Sequence, residues 1–311
     1  MNENTIFTLE AERAALQRCP CSQYPASPAR HVASEFSAAA FHEELSRRRP
    51  VVIEGGELAA WPASRDWNHS LFEDVFATRA VLDAVNDSYS FFGTASQRDG
   101  ACPLELPKEL QLHGAESKSC VVSDEFFGRD SSAGYFERAR DATHTYCSFT
   151  ANEVQTARIL QADLSLPEAI FERMRVRDAY LWIFLGRAAA WAHVRGAGTH
   201  HDDFATAALI HSVLRGRKGW VLRPPPECAS VCKPMHFTVA EGEIFAFNGN
   251  FWHHSTYLPA GQPEHVSVAR FYCPSAEELR EPTCDARGPL RPHETPSMVL
   301  QACRRQAGIH L

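Results

Sequence analysis

The spacing of hydrophobic positions changes along the chain. Residues 34–49 place Phe36, Phe41 and Leu45 on one face, which predicts an amphipathic helix, and the next run, RPVVIEGG, predicts a short strand and a glycine turn. Further helices are predicted at residues 70–85 and 167–177. Residues 84–140 have weak periodicity, which indicates loops with short elements or an insertion, whereas ATHTYCSFTA alternates like a strand.

After residue 178, short β-rich runs follow one another between glycine, proline or charged turns. These runs are AYLWIFLG, AALIHSVLRGRKGWVLRP, GEIFAFNG and EHVSVARFYC. Their number and length favour a barrel or a sandwich. We therefore predict an N-terminal helical lead at 1–48, one β-rich domain at 49–273 with 84–140 as its loop-rich part, and a tail at 274–311 with a short helix.

Composition narrows the classes of function. The 311 residues are 44% hydrophobic, enough for a sizeable core, and the net charge of −7 argues against a general nucleic-acid binder. The longest apolar stretch, at residues 179–185, is too short to cross a membrane, and the first residues have no secretory pattern. The ten cysteines lack CxxC spacing, so we expect reduced thiols and an intracellular location, cytoplasmic or nuclear.

Paired histidines and aspartates are the most informative feature. The sequence HHDD at 200–203 is followed downstream by His253 and His254. Residues i and i+2 of a strand point to the same side, so a His-x-Asp motif gives two ligands on one face, and a distant histidine can complete a two-histidine, one-carboxylate metal site. The doubling leaves two registers, at 200 and 202 or at 201 and 203.

An ordered set of motifs resembles a known family. RPVVIEGG, GTHHDD, LRGRKGWVLRPP and GEIFAFNGNFWHH follow one another as in the Jumonji-C group of Fe(II)- and 2-oxoglutarate-dependent oxygenases, within the cupin class, over residues 49–272. The resemblance implies a mainly β fold with flanking helices, a double-stranded β-helix or jelly-roll. It also implies Fe(II), 2-oxoglutarate and dioxygen as cofactor and co-substrates.

The resemblance also suggests site residues. In the branch of the family that contains arginine demethylases and lysyl hydroxylases, the metal-binding histidines stand at fixed spacings from a motif lysine and a motif glycine. Those spacings favour His201, Asp203 and His253 as the metal ligands here, and the register at 200 and 202 is the alternative. Lys218 corresponds to the lysine that binds the far carboxylate of 2-oxoglutarate, a charge that needs a partner when buried. His211 stands where the family often has an Asn or Thr that lines the co-substrate pocket, so it is a further co-substrate candidate.

Two further residues are co-substrate candidates, each with a structural alternative. Arg270 stands at a position that is usually uncharged in the family, so it either competes with Lys218 as an anchor, faces outward or pairs with an acid. Thr199 either hydrogen-bonds the co-substrate or forms a turn.

The resemblance implies a hydroxylase of a protein side chain, with a small-molecule or tRNA hydroxylase and an N-methyl demethylase as alternatives. Two hypotheses from other classes of function are a cupin metalloprotein that does not use 2-oxoglutarate and a non-catalytic interaction protein. The expected partner is a protein or peptide, or else a small molecule, without nucleic acid or membrane. A homodimer through the C-terminal helix is a further hypothesis.

Overall fold

A computed structural model describes residues 19, 27–55, 58, 61–68, 92–96, 100–101, 119–120, 124–127, 142, 144–150, 175–190, 193–202, 208–249 and 251–273. Within these residues the protein is mainly β, as predicted. The two helices are α1 (Ala38–Ser46) and α2 (Pro62–Asp66). The strands are β1 (Ala29–Val32), β2 (Val51–Glu54), β3 (Phe92–Ser96), β4 (Gly100–Ala101), β5 (Ser119–Cys120), β6 (Asp124–Phe127), β7 (His144–Thr150), β8 (Arg175–Ala188), β9 (Val194–Arg195), β10 (Ala208–Arg215), β11 (Arg217–Arg223), β12 (Met235–Ala240), β13 (Ile244–Phe247), β14 (His253–Leu258) and β15 (Gln262–Cys273).

The first predicted helix and strand are confirmed. Helix α1 begins where the Ser37 side chain accepts a hydrogen bond from the Ala40 N–H at 3.1 Å, which satisfies one of the free donors of the first turn. Phe41 and Leu45 lie buried on one face of α1. Strand β2 then pairs with β1 in parallel and with β13 in antiparallel orientation, which ties the N-terminal lead to the β-rich region.

Two sheets face each other across a common core. A nine-stranded sheet has the order β1-β2-β13-β10-β15-β8-β7-β3-β6, and a four-stranded sheet has the order β12-β11-β14-β9. The chain passes between them repeatedly, with β10, β13 and β15 in the large sheet and β11, β12 and β14 in the small one. The turn from β10 to β11 uses Gly216 at φ 70°, where a side chain would collide with the Glu264 carbonyl.

Strand pleating defines which side chains enter the space between the sheets. In the small sheet, Lys218 lies opposite Val239, and Trp220 lies opposite Phe237. In the large sheet, residues from β10, β13 and β15 contribute to the same core. The four β-rich runs predicted after residue 178 are therefore confirmed as strands, and their apolar alternation faces one core.

Some predictions need correction or fall outside the described residues. The helix predicted at 167–177 is wrong at its end, since residues 175–177 belong to β8 and continue its pairing with β15. Strands β3 to β6 lie within the loop-rich part at 84–140, and β3 and β6 form one edge of the large sheet. The predicted helix at 70–85, most of 84–140 and the tail at 274–311 lie outside the described residues.

The expectation of reduced thiols is wrong for three buried cysteines. Cys19 and Cys228 form a disulfide that links the N-terminal lead to the turn after β11, and Cys232 is also disulfide-bonded. Disulfides persist in oxidising compartments, so the cysteines no longer support the predicted intracellular location. Cys147, by contrast, is a buried thiol that forms no disulfide. Neither helix in the described part of the chain has the length and apolar character needed to cross a lipid bilayer.

Candidate metal centre and buried basic pocket

A short backbone bridge holds two histidines side by side at one end of the core. The N–H of His200 donates to the carbonyl of His254 at 3.0 Å, and the N–H of His254 donates back to the carbonyl of His200 at 2.7 Å. Residues directly opposite each other in an antiparallel pair carry side chains on the same face. The two rings accordingly lie 4.2 Å apart between their centroids.

Asp202 brings a carboxylate to these rings because it lies two residues after His200. Its Oδ1 lies 3.7 Å from the Nε2 of His200, and its Oδ2 lies 3.8 Å from the Nε2 of His254. The three possible ligand atoms all lie within 4.8 Å of one another. The Asp202 N–H donates to the carbonyl of Gly249 at 3.0 Å, and a side chain at Gly249 would occupy the space of the carboxylate.

The hydrogen bonds of both histidines leave their Nε2 lone pairs directed at this carboxylate. The Nδ1 of His200 donates to the Gly198 carbonyl at 2.7 Å, and the Nδ1 of His254 donates to the Trp252 carbonyl at 3.1 Å. Burial lowers the pKa of His254 to about 3, so its ring is neutral at ordinary pH. Two imidazole nitrogens and one carboxylate oxygen, all within 4.8 Å of one another, are a donor set that fits a divalent metal.

The structure brings together the alternative register rather than the preferred one. His254 points into the core, whereas His253 occupies the other face of β14 and its ring stacks on His201 at 5.1 Å between centroids. Asp203 lies outside the described residues, so the predicted set of His201, Asp203 and His253 stays a prediction. Strand alternation nevertheless separates its two histidines from the cluster of His200, Asp202 and His254.

Lys218 is fully buried between the sheets, as a co-substrate anchor would require. Its Nζ lies 3.5 Å from the centroid of the Phe184 ring, 5.3 Å from that of Trp220 and 5.5 Å from that of Tyr146. Burial lowers its pKa well below the ordinary value. A surface position is therefore ruled out, and no carboxylate among the described residues forms an ion pair with Lys218.

Two histidines and a serine complete a basic pocket around this lysine. The Nζ of Lys218 lies 3.3 Å from the Nε2 of His211, and the Ser267 hydroxyl lies 2.8 Å from the Nε2 of His211 and 2.8 Å from that of His265. Burial lowers the pKa of each histidine well below its usual range, and the neighbouring Lys218 lowers it further. His211 therefore lies beside Lys218 in this pocket.

The other two predicted co-substrate residues lie elsewhere. Ala269 on β15 lies opposite His211, so the adjacent Arg270 belongs to the other face of the large sheet, opposite Ile210. Arg270 is 7% exposed, so it lies buried on that other face, away from His211 and Lys218. Thr199 is exposed on the loop beside His200, and the structure does not bring it to the buried lysine.

The metal cluster and the basic pocket are neighbours across Trp220. The Trp220 ring lies 5.0 Å from that of His211 and 6.0 Å from that of His254, centroid to centroid. A positive charge on Lys218 would lower the pKa of His254 further. Sequence reasoning missed His265 and Ser267, although their alternation along EHVSVAR does place both on one face of a strand.

Comparisons with known proteins leave the family open. No protein-family model matches the chain, and a search of curated proteins finds no significant match. The Jumonji-C resemblance therefore depends on the motifs quoted above and on the site itself.

Proposed function

We propose that this chain is an Fe(II)- and 2-oxoglutarate-dependent oxygenase built on a double-stranded β-helix, with a protein side chain as its substrate. The observation that carries the proposal is the pairing of two sites within one core. A two-histidine, one-carboxylate cluster lies beside a buried lysine that has no acidic partner among the described residues. A metal would explain the first site, and an anion that reaches inward from it would give the buried lysine a partner.

The alternation of strands between the two sheets supports the jelly-roll part of the proposal. Successive strands β10 to β15 divide between the large and small sheets, which is the connectivity that a double-stranded β-helix needs. Both candidate sites lie in the space that these strands enclose.

Each residue then has a physical task. His200, Asp202 and His254 would hold the metal on one face and leave its other positions open for ligands. Lys218 would neutralise the far carboxylate of 2-oxoglutarate, and the aromatic wall of Phe184, Trp220 and Tyr146 would keep water out of the pocket. When bound, iron supplies the oxidation chemistry that couples 2-oxoglutarate decarboxylation to C–H hydroxylation.

The substrate would approach from the exposed rim. The His200 side chain is 45% exposed, whereas that of His254 is 4% exposed, so the metal cluster opens to solvent on the His200 side. The acidic balance of the chain suits a basic protein segment as the substrate. Small-molecule or tRNA hydroxylation and N-methyl demethylation use the same site and remain the alternatives.

The test is an anaerobic visible difference spectrum of the purified full chain, with Fe(II) added first and 2-oxoglutarate second. We expect a metal-to-ligand charge-transfer band in the wild type and in His253→Ala, no band in His254→Ala, and a band that needs more 2-oxoglutarate in Lys218→Met. The neighbouring histidine substitutions are matched in size and position on β14, so they separate ligation from general disturbance of the strand.

Other outcomes would redirect the assignment. A band lost in His253→Ala but kept in His254→Ala would keep the class and restore the register predicted from sequence. Metal binding without a 2-oxoglutarate band would indicate a cupin metalloprotein that uses other chemistry. A folded wild-type chain that binds no metal would contradict the proposal and leave a non-catalytic interaction protein.

A further inference from the structure

The buried basic pocket cannot satisfy all of its hydrogen bonds with a charged lysine. The Nε2 of His211 is approached by the Nζ of Lys218 at 3.3 Å and by the Ser267 hydroxyl at 2.8 Å. A neutral imidazole nitrogen carries either one hydrogen or one lone pair. It therefore cannot accept from both an ammonium and a hydroxyl.

One arrangement turns each of these three contacts into a hydrogen bond. The Nε2–H of His211 donates to the Ser267 oxygen, and the Ser267 hydroxyl donates to the Nε2 of His265 at 2.8 Å. The Nζ of Lys218 then faces an N–H and fits as a neutral amine that accepts from it. In the pocket without an anion, the hydrogen-bond geometry thus favours the amine form of the lysine.

The side chains that face Lys218 from the surrounding strands do not oppose this form. Phe184 on β8 and Val239 on β12 are apolar, and burial raises the pKa of Tyr146 on β7, so its phenol stays neutral. His254 on β14 is neutral for the reason given above. The backbone carbonyl of Arg215 favours the protonated form of His265, but burial and Lys218 act against it.

We infer that this pocket takes up a proton together with the far carboxylate of a dicarboxylate co-substrate, with Lys218 changing from amine to ammonium. The inference rests on the proposed function, which supplies the dicarboxylate. Ser267 is a positioning residue here, because its hydroxyl keeps the hydrogen on the Nε2 of His211 and so keeps the lysine neutral before binding. His265 completes the same relay as the final acceptor.

Proton uptake makes co-substrate affinity depend on pH. A group protonated only in the complex gives tighter binding as pH falls, and one proton taken up per ligand corresponds to about a tenfold change in affinity per pH unit. The opposite sign, tighter binding as pH rises, would require the pocket to release a proton.

The experiment is titration calorimetry of the full chain loaded with Mn(II), in two buffers of different ionisation enthalpy at one pH. The two ligands are 2-oxoglutarate and oxalate, which chelates a metal but has no far carboxylate. The difference in binding enthalpy between the two buffers gives the number of protons taken up. Subtracting the value for oxalate removes the protons that are exchanged when a ligand chelates the metal. We expect 2-oxoglutarate to take up about one proton more than oxalate.

Variants test whether Ser267 sets this count. Ser267→Ala frees the His211 lone pair for a charged lysine, so the extra uptake should fall towards zero while 2-oxoglutarate still binds, and Ser267→Thr should restore it. Ser212→Ala is the matched control, because Ser212 is an equally buried serine whose β10 position faces the other side of the large sheet. It should leave the proton count unchanged.

The outcomes separate the inference from the proposed function. Tight 2-oxoglutarate binding with the same proton count as oxalate would overturn the inference and leave the oxygenase proposal standing. An unchanged proton count in Ser267→Ala would overturn the role of the serine relay. Failure of 2-oxoglutarate to bind the metal-loaded chain, while the metal itself binds, would overturn the proposed co-substrate and the inference with it.

Discussion

Gly249 offers a sharp test of the metal cluster because the space above its Cα belongs to Asp202. An alanine Cβ there would lie 3.1 Å from the Cγ of Asp202 and 3.2 Å from its Cβ, and it would overlap Oδ2. Restoring an ordinary contact requires the carboxylate oxygen to retreat by about 1 Å. Metal sites tolerate ligand displacements of about 0.2 Å, so Gly249→Ala should remove Asp202 as an effective ligand.

We expect metal affinity to fall by about 10- to 100-fold in Gly249→Ala, measured by competition with a chromophoric chelator. The free energy of unfolding of the metal-free protein should change little, since Gly249 is not among the glycines with positive φ. Gly242→Ala is the control with the opposite pattern. Gly242 has φ 81° and open space around its Cα, so alanine there should lower stability by about 1 kcal/mol and leave metal affinity unchanged.

An unchanged metal affinity in Gly249→Ala would refute the placement of Asp202 in the cluster. A loss of affinity in both glycine variants would point to general loosening rather than to displacement of one ligand. Circular dichroism of each variant, recorded before metal is added, checks that both are folded.

Three further predictions concern stability. Cys228→Ser opens the disulfide to Cys19, which closes a sequence separation of 209 residues, and should lower the free energy of unfolding by about 2–5 kcal/mol in urea titrations under non-reducing conditions. Trp220→Ala removes an aromatic ring that is 2% exposed and should cost about 3–5 kcal/mol in the same assay. The lowered pKa values of His211 and His265 mean that protonation of these rings favours the unfolded chain. The free energy of unfolding should therefore be greatest above about pH 6.5 and fall as the pH decreases below that value. His265→Asn should make this fall less steep, and an unchanged slope would contradict the prediction.

The sequence by itself determined the β-rich runs after residue 178 and which side chains share a face within them. Alternation in GEIFAFNG and EHVSVARFYC fixes which residues share a face, because the side-chain period of a strand is two wherever the strand is placed. The same pattern put Lys218 in an apolar strand, and the structure confirms that it is buried. Histidines and aspartates in a His-x-Asp pattern predicted a metal site irrespective of register.

Only the tertiary structure decided which of the doubled residues meet. In HHDD and in the pair at 253 and 254, each face of the strand offers the same residue types, so local sequence cannot distinguish inside from outside. The bridge between His200 and His254 places one histidine of each pair on the same face, beside Asp202. The contacts among Lys218, His211, Ser267 and His265 likewise depend on strand register, which local sequence does not specify. The disulfide from Cys19 to Cys228 depends on folding, because it joins segments that are far apart in the sequence.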